Sequence, residues 1–171
     1  MTWQIMGGVL VCASTTLLGL HLGGAGRRRT KDLLEFKKSL ILLKSQIDFA
    51  IYTLPQAFSH IGDRTAAPFD KFYEHLAVQL DEGGADAATV WENGLQSLKY
   101  SNLTKEDLDG IAILGASLGH MDANVQINSI DMVIAGIDES LSALAADAPK
   151  TAKMYRGLGV VSGLLITIVL L

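Results

Sequence analysis

Every charged side chain of this sequence lies between Arg27 and Arg156. The 26 residues before that stretch and the 15 after it contain no Lys, Arg, Asp or Glu. Ends of this kind cannot keep a solvated surface, so they seek lipid or a protein interior. Between them, about 25% of residues are charged, the ordinary level for a soluble domain. The mean hydropathy of +0.31 therefore averages two unlike materials. With a net charge of −4, a single cysteine and 49% hydrophobic residues, the chain is no basic nucleic-acid binder, disulfide scaffold or disordered polymer.

The first apolar run, Trp3 to Ala25, would reach roughly 35 Å as a helix, enough to cross a hydrocarbon core of about 30 Å. Arg27, Arg28, Arg29 and Lys31 follow it at once. A secretory signal wants its cations before the apolar run, so this pattern predicts a retained anchor over 3–26. The C-terminal run, Gly157 to Leu171, gives only about 22 Å. Extending it back to Met154, with Lys150, Lys153 and Arg156 snorkelling to the interface, predicts a second anchor over 154–171. The alternative is a buried core helix, although the last four residues hold no polar group. Both sets of cations place residues 27–153 in the cytoplasm and both termini across the membrane. Each anchor carries a Gly-x-x-x-Gly pair, Gly19/Gly23 and Gly159/Gly163, which permits close helix approach in lipid and also arises by chance.

The middle of the chain reads as helix throughout. Leu33, Phe36, Leu40, Leu43, Ile47, Ala50 and Ile51 recur at three and four, predicting an amphipathic helix over 30–52 continuous with the first anchor. Thr53 and Pro55 open a short helix, and Pro68 opens one that carries Phe69, Phe72, Leu76 and Leu80. Gly83-Gly84 closes it. Asp86 caps a helix with Val90, Trp91, Leu95 and Leu98 on one side. Thr104-Lys-Glu-Asp107 resembles a capping box before Leu108, Ile111, Leu114 or Gly115, and Leu118. A last helix over about 122–146 aligns Ile127, Ile130, Ile134, Ile137, Leu141 and Leu144, and Pro149 separates it from the second anchor. No segment has a period of two. The predicted fold is all-α: a six-helix antiparallel cytoplasmic bundle between two transmembrane helices.

Catalytic patterns are missing from the sequence. It has no phosphate-binding loop and no dinucleotide glycine motif. Cys12 sits in the first anchor, where a thiol acts as a small apolar group. His21, His60, His75 and His120 do not pair at metal-ligand spacing, and His120 and Asp122, two apart, point to different helix faces. The adjacent acids Asp81-Glu82 and Glu106-Asp107 fall at helix ends. No cofactor or metal is expected, and the chain does not read as an enzyme.

Charge is segregated along the chain. Arg27 to Lys44 is strongly basic and Ser45 to Pro149 strongly acidic, with Lys150 to Arg156 basic again. Solubility alone accounts for an acidic body. A docking surface for a basic region of a cytoplasmic partner accounts for it as well. The stretch Leu114 to Ile130 stands out: Gly115 and Gly119 fall four apart, at a cost of order 1 kcal/mol each against alanine in a helix. That choice suits a second helix backbone packed on the same face. Asp122 then caps the final helix, with Gln126 one turn above it. Packing and capping alone also account for this group.

These residues resemble the stage III sporulation protein AB family of endospore-forming bacteria. The resemblance spans nearly the whole chain. It takes in the Gly-rich first anchor with its arginines, Thr53-Leu-Pro-Gln-Ala-Phe58, Phe69 to Leu80, Trp91-Glu-Asn-Gly-Leu95, and Leu-Gly-x-Ser-Leu-Gly119 with Asp122 and Gln126. Gln46-Ile-Asp48 departs from it, since a Glu is expected before the Ile, which puts any partner contact by that acid in doubt. The resemblance implies a sporulation protein of the mother-cell membrane around the forespore. It implies partners in lipid, in other membrane subunits of a channel or secretion complex and in a cytoplasmic secretion-type ATPase, by similarity to inner-membrane platform proteins of type II secretion and type IV pili. No nucleic-acid partner is implied, and self-association is left open. The alternative is a small transporter subunit or membrane enzyme with a site between the anchors, for which only His21 offers an ionisable group within the spans.

Overall fold

Among the described residues six α-helices form where the local signals fall: α1 (Thr2–Asp48), α2 (Leu54–Gly62), α3 (Phe69–Asp81), α4 (Ala87–Leu95), α5 (Lys105–Ala112) and α6 (Ala123–Leu170). Two 3₁₀ turns, Gln96–Tyr100 and Ile113–Ala116, follow α4 and α5. The computed structural model describes the backbone of residues 2–49, 52–119 and 122–170, and the side chains of 24–49, 52–119 and 122–147. No strand occurs among the described residues. The chain divides into two compact units, residues 29–141 and residues 1–28 with 142–171. The expected spans 3–26 and 154–171, with Cys12, His21 and the paired glycines, lie almost wholly outside the described side chains. Among the described residues no helix is long and apolar enough to cross a membrane.

Caps set the helix starts. The Gln56 side chain accepts the Thr53 backbone N–H at 3.1 Å. Asp86 Oδ1 accepts from Thr89 N at 2.7 Å, and this bond to an exposed carboxylate holds the Asp86 pKa below the usual range. At α5 the box is reciprocal: Thr104 Oγ1 accepts from Asp107 N at 3.3 Å, and Asp107 Oδ2 accepts from Thr104 N at 2.9 Å. Asp serves here in place of the longer Glu. After α3 the chain reverses through Gly83 at φ +71°, a left-handed conformation that glycine adopts without steric cost.

The predicted stripe of α1 is the spine of unit 29–141. Leu33, Phe36, Leu40 and Leu43 are fully buried. Phe36 meets Phe69 with ring centroids 5.4 Å apart, and Phe72 meets Trp91 edge-on at 5.2 Å. Tyr73, also fully buried, places its hydroxyl 2.6 Å from Ser39 Oγ, so its one polar atom is satisfied. Burial pushes the Tyr73 phenol well above its usual pKa, and it stays neutral.

Four expectations need correction. The helix begun at Thr104 stops at Ala112 rather than reaching Leu118, and the one begun at Asp86 stops at Leu95, with Leu98 in the 3₁₀ turn. α1 ends at Asp48, and Ala50 and Ile51 lie outside the described residues. α6 runs through Pro149 instead of ending before it. A proline removes one helical hydrogen bond at about 3 kcal/mol, and alanines 145, 146, 148 and 152 around it favour helix enough to carry the chain across. The buried stripe of α6 is Ile130, Val133 and Ile137, so Val133 joins the expected set while Ile127, Ile134 and Leu141 are only half-buried.

Candidate interaction surfaces

The glycines singled out in the sequence do not share a helical face. Gly115 lies in the 3₁₀ turn, and the group it admits is an indole, not a helix backbone. A Cβ there would stand 2.8 Å from Trp91 Cδ1. Trp91 Nε1 donates to the Ile111 carbonyl at 3.2 Å, at the point where α5 gives way to the tighter turn. Gly119 has φ +83°, so it ends the turn by its backbone conformation. Asp122 starts α6, with Oδ1 accepting from Asn124 N at 2.8 Å and its carbonyl from Gln126 N at 3.4 Å. Gln126 is half-buried. The group thus builds a turn between two helices, and His120 and Met121 within it lie outside the described residues.

The basic cluster is divided in use. Arg27, Arg28 and Lys31 are exposed. Arg29 instead makes a two-pronged pair with Asp107, Nε to Oδ2 at 2.8 Å and Nη2 to Oδ1 at 2.9 Å. The Asp107 side chain is only 2% exposed. Burial alone would raise its pKa, but the Arg29 guanidinium and the Thr104 N–H outweigh that and hold it below the usual carboxylate range. The same pairing raises the Arg29 pKa. Lys150, Lys153 and Arg156 lie outside the described side chains.

Two further cations of α1 answer acids of α6. Lys37 Nζ is 2.6 Å from Asp138 Oδ1, and Lys44 Nζ is 2.7 Å from Asp131 Oδ2. The partners are seven residues apart on each helix and in opposite order, as antiparallel neighbours require. Charge counting along the chain missed these pairs. The matched spacing of seven was the signal that carried them. Asp32, buried within α1, accepts at Oδ2 from Asn102 N and Nδ2, both at 2.9 Å, and so holds the loop before α5. Three of the seven cations of Arg27–Lys44 thus pair with acids of the body.

Among the described residues no group of three or more His, Cys, Asp or Glu is placed to hold a metal ion. A shallow groove of about 200 Å³ lies between α5 and α6, with Leu33 at its floor and Ile113 and Met132 on its walls.

The profile of stage III sporulation protein AB matches residues 4–171. The chain belongs to that family. A stage III sporulation protein AB of Bacillus subtilis (strain 168) is 24% identical over 169 residues, covering 98% of this chain and 99% of its own. A solved structure of a stage III sporulation protein AB superposes with a TM-score of 0.66 at 22% identity, covering 71% of this chain and 96% of that one, which shows a shared fold. Gln46, where the resemblance leads one to expect Glu, has these surroundings. Gln46 is 7% exposed, with Nε2 3.0 Å from His60 Nδ1. The amide nitrogen donates to that ring nitrogen, while Oε1 is buried with no hydrogen-bond partner among the described residues, and a carboxylate at this position would bury a charge as well. Position 46 in this chain thus packs inward against α2, and Tyr52 covers His60 with ring centroids 5.2 Å apart.

Proposed function

We propose that this chain is a non-enzymatic membrane platform component of the channel or secretion complex between mother cell and forespore, held in the mother-cell membrane and docking a cytoplasmic secretion-type ATPase. Family membership over residues 4–171 is the observation that carries the reading. Three features support it. The uncharged ends bracket all the charge, and exposed Arg27, Arg28 and Lys31 stand where the first apolar run ends, suited to an anionic leaflet. The helical domain builds Thr104, Asp86, Asp107 and the Trp91 indole into caps and packing. Exposed acids beyond those paired with α1, among them Asp81, Glu82 and Glu92, leave the body negative toward a basic partner.

Two measurements test this. Membrane vesicles carrying the full chain should retain the purified cognate ATPase above empty vesicles, and retention should fall as salt rises. Equal retention by both vesicles removes the docking role. Single cysteines at positions 2 and 171 should label only from the side of the membrane away from the mother-cell cytoplasm, and one at 86 only from the cytoplasm. Labelling of 86 from the side away from the mother-cell cytoplasm would reverse the topology and end the platform reading.

A further inference from the structure

Two glycines of the helical domain have no explanation within one copy of the chain. Gly110 on α5 and Gly136 on α6 lie inside helices, where each costs about 1 kcal/mol relative to alanine. A Cβ at Gly94 would press on Leu76 and one at Gly115 on Trp91, but at Gly110 or Gly136 it would meet nothing within 4 Å. Both line the groove between α5 and α6. Ile113 and Met132, on its walls, are 60% and 67% exposed, high for large apolar side chains. Glu106 stands at the same groove, and the exposed acids Asp109 and Glu139 adjoin its lining residues Gly110 and Ser140. Small residues on facing walls, apolar sides and an acidic rim fit one kind of occupant: a helix whose face alternates apolar and basic side chains.

Such a face exists on the chain itself. The outer side of α1 presents Lys31, Leu34, Lys38 and Ile41 at spacings of three, four and three, all exposed. Leu34 and Ile41 are 52% and 50% exposed. At about 100° per residue these four fall in one narrow stripe, well round the helix from Leu33, Phe36 and Leu40 in the core. Lengths agree too. Lys31 to Ile41 spans about 15 Å of helix and Met132 to Ser140 about 12 Å.

We propose that the α5–α6 groove of one copy receives the Lys31–Ile41 stripe of a second copy. Leu34 and Ile41 enter beside Ile113 and Met132, the glycines let the incoming backbone approach, and Lys31 and Lys38 face Glu106 and Glu139. Stripe and groove are different surfaces, so the contact is heterologous. Each pair leaves one stripe and one groove unused, and the association continues into a ring or an open row. Two to three helical turns bury less than the roughly 1,200 Å² of a stable interface, so dilute copies associate weakly and copies held close together associate well.

Cysteine cross-linking of the full chain in membranes tests this, with Cys12→Ser so that introduced thiols stand alone. Differently tagged Leu34→Cys and Met132→Cys copies, expressed together and oxidised, should give a mixed dimer. A chain with both substitutions should give a ladder. Dimers of Leu34→Cys with itself at equal yield would mean a symmetric contact between α1 faces, and absence of the mixed dimer would assign the groove to another protein. Either result overturns the proposal. Glu106→Lys with Glu139→Lys should lower the mixed dimer at least tenfold, and adding Lys31→Glu with Lys38→Glu should restore it. These positions are exposed, so the helical content by circular dichroism should not change. Loss with no restoration in folded chains would refute the charge register.

Discussion

Around Trp91 the helical domain is closed, and along α5 and α6 it is open. On the closed side Phe58, Phe72 and Trp91 lie ring against ring, and the glycines at 94 and 115 are already in contact with Leu76 and the indole. On the open side Gly110 and Gly136 face empty space, Met132 is mostly exposed, and ion pairs hold the helices at their edges. The same residue type thus marks the tightest and the loosest places in the domain. Closed packing fixes the shape of the chain, and an open wall leaves surface for something that is not in it.

The largest effect should come from the centre of the closed side. Trp91→Ala removes a side chain 1% exposed and takes the indole N–H away from the Ile111 carbonyl, which keeps the Ile113 backbone N–H. Chemical denaturation of the full chain, followed by circular dichroism, should show a loss of about 3–5 kcal/mol. A loss under about 1 kcal/mol would mean that the aromatic cluster is not what closes this side.

Next comes the pair that ties α5 to α1. Asp107→Asn leaves Arg29 without its anion, and because Arg29 is 26% exposed and partly rehydrates, the expected loss is about 2 kcal/mol. The pH dependence has a definite sign. The folded pKa of Asp107 is depressed, so its stabilisation is fully present above the unfolded value near 4 and disappears as pH falls through the lower folded value. The parent chain should therefore lose stability more steeply than Asp107→Asn below about pH 4. Parallel curves would separate Asp107 from the acid response.

Much of the fold was legible beforehand, and the reason is local. Thr53, Asp86, Thr104 and Asp122 announce helix starts because a cap depends on a few neighbouring residues. Phe36 and Leu40 announce the core because helical period is a property of one segment. The ends of α4 and α5 were not legible. α5 tightens where Trp91, twenty residues earlier, takes the Ile111 carbonyl, and periodicity in one segment does not register a bond from another. Gly115 shows in the sequence that room is made without showing for what, and the occupant is the Trp91 indole rather than a helix backbone. Arg29 was read with its neighbours as a lipid-facing cation because Asp107 lies 78 residues away. The groove had no signal in Gly110 or Gly136 until both proved to have nothing beside them.

A pair of substitutions sharpens the contrast between the two sides. Gly115→Ala forces a methyl into the Trp91 ring and should cost about 1–3 kcal/mol. Gly136→Ala meets open space inside a helix and should stabilise by about 0.5–1 kcal/mol. If both destabilise alike, the groove is not open, and the argument that its glycines serve an outside partner fails.

The smallest effect belongs to the edge of the open side. Lys44 and Asp131 meet at 2.7 Å, but their side chains remain 37% and 48% exposed. Water and salt screen such a pair, and ordering two long side chains costs entropy, so a double-mutant cycle with Lys44→Ala and Asp131→Ala should give a coupling of about 0.5 kcal/mol. It should fade in about 1 M salt, where the Debye length shrinks to about 3 Å. The same cycle on Arg29 and Asp107 should keep most of its coupling there, because the Asp107 carboxylate is shielded from solvent. Both pairs join α1 to its neighbours in the same unit, and they differ both in chemistry, a two-pronged guanidinium against a single ammonium, and in exposure, so it is the salt response of the Lys44–Asp131 coupling that reports how firmly its edge is closed. A Lys44–Asp131 coupling above about 1.5 kcal/mol that survives high salt would make the α1–α6 edge part of the rigid core, and the open side would then shrink to the groove alone.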